Sequence, residues 1–189
     1  MDDQYVINNL MGASVDKARL GAIGENMVVA QLLQQGWDAI CANLSIRNCK
    51  AIDVVCVHPD TRKTVLVQVK TIVGNSFPIG FTLEETMTSL MKPKVVGPWV
   101  FVQALGQKEN MTFRYFIVPP SEFIKLSNDS NDWYINKWNR QKTISLKSPS
   151  ALKLTWLEGK GEDEKDNHEA FVNPFPNGFE NKWDNIWKD

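Results

Sequence analysis

A chain of 189 residues with 43% hydrophobic content is large enough to bury one core, and its length fits a single domain. No stretch approaches the roughly 18 uninterrupted apolar residues of a membrane span, and Asp2, Asp3 and Gln4 do not resemble the basic and apolar regions of a signal peptide. The expectation is therefore a soluble, cytoplasmic protein with no membrane partner. The net charge of −1 conceals an uneven distribution, because residues 1–157 carry 17 basic and 13 acidic side chains while residues 158–189 carry 4 basic and 9 acidic ones. A modestly positive body permits phosphate binding without demanding it. Cys41, Cys49 and Cys56 are odd in number and lack CxxC spacing, which argues against a disulfide framework and favours buried thiols.

Residues 14–35 predict a helix, with Ser14 as candidate N-cap and Gly36 as the stop. One stripe runs through Ala18, Gly21 or Ala22, Glu25, Val28 or Val29, and Leu32. Its small residues would let the helix approach a sheet closely, and Glu25 interrupts it. Strands are expected over 37–44, 51–57 and 64–71, the last two separated by the polar turn 58–63. Thr82 and Glu85 have capping-box spacing, so 83–92 predicts a second helix stopped by Pro93. A fourth strand over 99–105 and a fifth over 113–118 follow, the latter closed by Pro119 and Pro120. The segments 121–126, 132–138 and 143–156 read as shorter pieces. Residues 158–169 are strongly polar, but Phe171, Phe175, Phe179, Trp183, Ile186 and Trp187 beyond them are too apolar to be left in water. That tail is expected to dock on the body as core completion, with a partner-binding surface as the alternative.

The chemistry concentrates in three interruptions of two buried strands. Asp53 lies within an otherwise apolar run, and Gln68 and Lys70, two apart, project from one face of the next strand. Burying such groups is costly without partners. Two carboxylates, Glu25 and Asp53, with the amide oxygen of Gln68 would make a hard-oxygen site suited to Mg2+ or Mn2+. Lys70 would add a compact positive charge beside the ion, able to orient a nucleophile and offset developing negative charge. His58 sits just past a strand end and reads as a loop residue. Lys92 and Lys94 flank Pro93, where they could contact a nucleic-acid backbone or complement a helix end.

Glu25 beside Gly24, Asp53 after Ile52, and Gln68-Val69-Lys70 together resemble the PD-(D/E)XK nuclease superfamily across residues 18–120. A likeness to its Mrr-like and Holliday-junction-resolvase-like branches is part of this resemblance. It implies an α/β (α+β) fold with a restriction-endonuclease-like αβββαβ core, a mixed central sheet flanked by helices, and a C-terminal extension. The implied organisation is a nuclease-like domain over 1–157 and an extension over 158–189. The resemblance also implies a magnesium-dependent endonuclease acting on DNA, with Asp53 as principal metal ligand, Glu25 as supporting acid and Lys70 as catalytic lysine. Gln68 stands where the family usually has an acid, so the site should hold its metal weakly. A homodimer would let paired sites cut both strands. The rival is a nuclease-fold module that binds nucleic acid or a protein partner without cleaving.

Overall fold

The structure, a computed structural model, describes residues 15–42, 52–88, 90–106, 110–138, 144–165 and 169–189. The expected cap at Ser14, the thiol of Cys49 and the expected strand residues 43–44 and 51 lie outside the described residues. Helix α1 (Val15–Gln34) is followed by strands β1 (Asp38–Cys41), β2 (Val54–Val57), β3 (Thr64–Ile72) and β4 (Ser76–Thr82). Then come helix α2 (Leu83–Met87), a 3-10 turn (Lys92–Lys94), and strands β5 (Trp99–Leu105) and β6 (Thr112–Val118). Helix α3 (Pro120–Trp133), a π turn (Tyr134–Trp138), strand β7 (Pro149–Lys153), helix α4 (Leu154–Leu157) and a second 3-10 turn (Trp183–Trp187) complete the order.

The protein is mixed α/β. Its central sheet has the order β1-β2-β3-β5-β6, with β3 and β5 parallel and the other neighbours antiparallel. The connection from β3 to β5 carries β4 and α2, because a parallel return needs a crossover. Where that crossover rejoins the sheet, a Cβ on Gly97 would lie 1.9 Å from the Leu66 carbonyl oxygen, so only glycine lets the two backbones meet. The sheet separates two cores. Val28 and Leu32 of α1 pack on Val67, Val69, Val100 and Val102. Phe77, Trp99, Phe101, Phe116, Phe123 and Leu152 pack on the opposite face.

Three expectations about local structure change. In α1 the buried positions are Leu20, Gly24, Val28 and Leu32, whereas Ala18 and Ala22 are exposed. The contact point explains the rotation: a Cβ on Gly24 would come within 1.8 Å of Thr71 Oγ1, so the helix meets β3 at its glycine. The Thr82–Glu85 capping box forms as expected, but its helix ends at Met87, where Thr88 turns extended. Pro93 lies inside a separate 3-10 turn and does not stop the helix. Strand β4, which contains Pro78 and Gly80, is absent from the expected strands. Its Phe77, Ile79 and Phe81 alternate cleanly inward, and the proline is tolerated because β4 belongs to a two-stranded ladder with β7 that is irregular between Pro78 and Thr82. Likewise Pro119 and Pro120 close β6 but also open α3, with Pro119 at the N-cap and Pro120 at the first helical position.

The C-terminal segment lies along β6. Ile117 N–H donates to Phe179 O at 3.1 Å, Asn181 N–H to Tyr115 O at 2.9 Å and Asn185 Nδ2 to Ile117 O at 2.8 Å. Phe179 and Ile186 are buried, so the aromatic tail fills core as well as covering an edge. Arg114 fastens it, donating from Nε and Nη2 to the two Glu180 carboxylate oxygens at 2.7 Å each. Its Nη1 lies 2.8 Å from Glu158.

Gly24→Ala is expected to destabilise by about 1–3 kcal/mol through overpacking against β3, despite the roughly 1 kcal/mol of helix propensity that alanine adds. Adding Thr71→Ala should recover part of that loss, read as a coupling in a urea-denaturation double-mutant cycle. A second expectation concerns pH. Arg114 holds the Glu180 carboxyl below its ordinary value, and Lys160 followed by Arg114 does the same for Glu158. Depressed carboxyl values contribute stability that is present above the unfolded-chain values and lost as pH falls through the folded ones. The stability difference between wild type and Arg114→Met, about 1–2 kcal/mol near neutrality for a partly solvated pair, should shrink in urea titrations as pH falls below the ordinary carboxylate range.

Candidate active site

Asp53 immediately precedes β2 and is clamped from both neighbouring strands. Its N–H donates to Val67 O on β3 at 3.0 Å, and its carbonyl accepts from Ala42 N–H, just past β1, at 2.8 Å. The β2–β3 register pairs Val54 with Val67, so its continuation sets Asp53 opposite Gln68. The side chains meet there. Asp53 Oδ2 accepts from Val69 N–H at 2.7 Å and from Gln68 Nε2. Asp53 is only 9% exposed, and this pair of donors is what makes its burial tolerable.

Strand alternation places the rest. Val67 and Val69 face α1, so Gln68 and Lys70 occupy the other face, beside Trp99 and Phe101 of β5, with which they are in parallel register. The Lys70 ammonium lies 5.8 Å from the centroid of the Trp99 ring, close enough for the ring face to attract it. Gln68 N–H donates to Pro98 O at 3.0 Å, which anchors the start of β5 to the same point.

Glu25 arrives from α1, on the side of the sheet facing away from Lys70, one residue beyond the Gly24 contact with Thr71. Its link to Asp53 runs through Cys41, at the end of β1. Burial pushes the Cys41 thiol above its ordinary value, and the charges of Glu25 and then Asp53 push it the same way, so both carboxylates lie within electrostatic range of one sulfur. Cys41 Sγ also approaches Asn26 Oδ1 at 3.8 Å. The structure thus joins Asp53 and Gln68 directly, sets Lys70 on their face, and leaves Glu25 on the α1 side, where it and Asp53 both act on the Cys41 thiol.

The sequence does not single out Cys41 or Trp99 as neighbours of the site. Both read as core, and only strand register brings them to Asp53 and Lys70. Lys94 is engaged elsewhere: its ammonium is 2.5 Å from Glu85 Oε1, while Lys92 is exposed in the same 3-10 turn. The Lys94 ammonium and the Thr82 cap hold the Glu85 carboxyl down at about 2. His58 Nδ1 accepts from the N–H groups of Asp60 and Thr61 at 3.3 and 3.5 Å, which accounts for it as a turn residue. Among the described residues no three His, Cys, Asp or Glu side chains converge as a metal-binding group. A hard ion that keeps several waters needs only one or two carboxylates, and Asp53 supplies one on the face it shares with Gln68 and Lys70. Gln68, however, turns its nitrogen, not its oxygen, toward Asp53.

No protein-family model, curated protein or solved structure matches the chain. No helix among the described residues is long and apolar enough to cross a membrane.

Asp53→Ala would strand the Val69 N–H and the Gln68 amide and should destabilise by about 2–3 kcal/mol. Asp53→Asn keeps an acceptor for Val69 and should cost less. Urea denaturation at neutral pH without divalent cations reads the order wild type, Asp53→Asn, Asp53→Ala.

Proposed function

We propose that this chain is a metal-dependent nuclease of the PD-(D/E)XK type that hydrolyses phosphodiester bonds in DNA in the cytoplasm. The observation that carries the reading is the buried Asp53 carboxylate pinned to β3 beside Gln68, with Lys70 on the same face. The element order supports it: a helix, three antiparallel strands and a crossover to a strand parallel to the third fit the αβββαβ core.

In this reading Asp53, with Glu25 in support, holds Mg2+ or Mn2+, which when bound polarises the scissile phosphate and acidifies a water. The chain supplies the geometry. The β2–β3 ladder fixes Asp53, and β3 holds Lys70 two residues beyond Gln68, where its ammonium can orient the attacking water and offset charge developing on the phosphate. The Trp99 ring beneath Lys70 favours a positioned ammonium over a freely swinging one. Lys92, exposed in the β4–β5 connection, is a candidate phosphate contact. The last turn of the aromatic tail lies at the opposite end of the β1–β2 ladder from Asp53. Trp187 packs on Trp37 and His58 and accepts from Lys63, at the Asp38–Val57 end of the β1–β2 ladder, whereas Asp53 adjoins the Cys41–Val54 end.

A second reading, a nuclease-fold module that binds nucleic acid or a protein without cutting, is favoured by one observation: the Gln68 amide already satisfies Asp53 without a cation. Incubation of plasmid, single-stranded and branched DNA with Mg2+ or Mn2+ separates the two. Cleavage by wild type that falls at least about 100-fold in Asp53→Ala and Lys70→Ala is expected. Equal cleavage by all three would refute the mechanism, and DNA binding without cleavage would favour the module.

A further inference from the structure

We infer that Gln68 is a positioning residue, a hydrogen-bond donor that holds the Asp53 carboxylate for the cation, and not itself a metal ligand. The identity of the cation rests on the nuclease reading above; the donor role rests on the structure of the strand pair. An amide has one donor end and one acceptor end, and only one can face Asp53 Oδ2. An oxygen turned toward that carboxylate would set two acceptors against each other, whereas the nitrogen makes a charge-assisted bond. The nitrogen faces Asp53, and the adjacent Val69 N–H donates to the same oxygen at 2.7 Å. Side chain and main chain of consecutive β3 residues thereby grip one carboxylate oxygen from two directions.

Ligation by Gln68 at the point its nitrogen faces, against Asp53 Oδ2, would require its amide to rotate half a turn, and Asp53 would lose one of these donors. The carboxylate that the family usually carries at this position would place charge against charge across the strand pair until a cation arrived. The neutral amide removes that repulsion. Asp53 is therefore oriented before metal binding, and the site needs no ion to keep β2 and β3 in register. Groups that orient a metal ligand in this way affect metal affinity about 10–100-fold.

The test uses the full chain labelled with nitrogen-15, reading the Gln68 side-chain amide signals by NMR, with Gln68→Met identifying them by their loss. In metal-free protein Asp53→Ala, or Asp53→Asn if the alanine variant fails to fold, should move those signals, toward the position of exposed glutamines for the alanine variant. Saturation with Mg2+ should keep them away from the position of exposed glutamines while the backbone signals of Glu25 and Val69 shift. Gln68→Met should remain folded and bind Mg2+ about 10–100-fold more weakly. Gln68 signals indifferent to both Asp53 substitutions, or moved by Mg2+ to the position of exposed glutamines, would overturn the donor role, the second outcome showing that the bond to Asp53 breaks when the cation binds. No Mg2+ response at Glu25 or Val69, with the Asp53 response intact, would sustain the donor bond and overturn the metal-dependent nuclease reading.

Discussion

The grip of β3 on the Asp53 carboxylate sets the terms for the rest of the structure. A carboxylate that is 9% exposed is tolerable only where donors replace the lost water, and two such donors come from consecutive residues of one strand. That arrangement fixes the β2–β3 register, since a slip of one residue would turn Gln68 and Lys70 toward α1 and bring Val67 and Val69 out of their core. It also fixes where β5 begins, because Gln68 binds Pro98 through its main chain while its side chain holds Asp53. The polar cluster is in this way the pin for three strands.

Around that pin the two faces of the sheet have different work. The α1 face is built from valines and a helix seated at Gly24, which brings Glu25 to the edge of the sheet near Cys41. The other face is aromatic, with Trp99 stacked on Phe123 at 4.3 Å and lying under the Lys70 ammonium. Rigid aromatic packing there limits how far the lysine can wander. The acidic tail, which makes the whole chain nearly neutral, is tied to β6 through Arg114 and to the far end of the β1–β2 ladder through Trp187. Among the described residues its Glu158 and Glu180 pair with Arg114 and its Glu162 with Lys153 of β7.

Much of this was legible in the sequence, for definite reasons. The strands around Asp53 and Lys70 announce themselves by valine-rich runs bounded by a polar turn, and the Thr82 capping box and the Gly36 stop act locally, so they form as written. What escaped depends on partners distant in sequence. Strand β4 needs β7 beside it before Pro78 becomes acceptable, and α3 begins at the two prolines that seemed only to end β6. The rotation of α1 is set by a glycine's fit against Thr71, which hydrophobic periodicity does not encode. At the site, the residue types were readable but their orientations were not: no pattern in Gln68-Val69-Lys70 tells that the glutamine would present its nitrogen, or that Trp99 would lie beneath the lysine.

In the proposed function the carboxylate pinned between β2 and β3 holds a divalent cation. Calorimetric titration of the metal-free chain with Mn2+ tests it most directly, alongside Asp53→Asn and Glu25→Ala. One weak, saturable site that disappears in Asp53→Asn and weakens in Glu25→Ala is the predicted result. Binding of equal strength in wild type and Asp53→Asn, or no saturable binding in wild type, would contradict it.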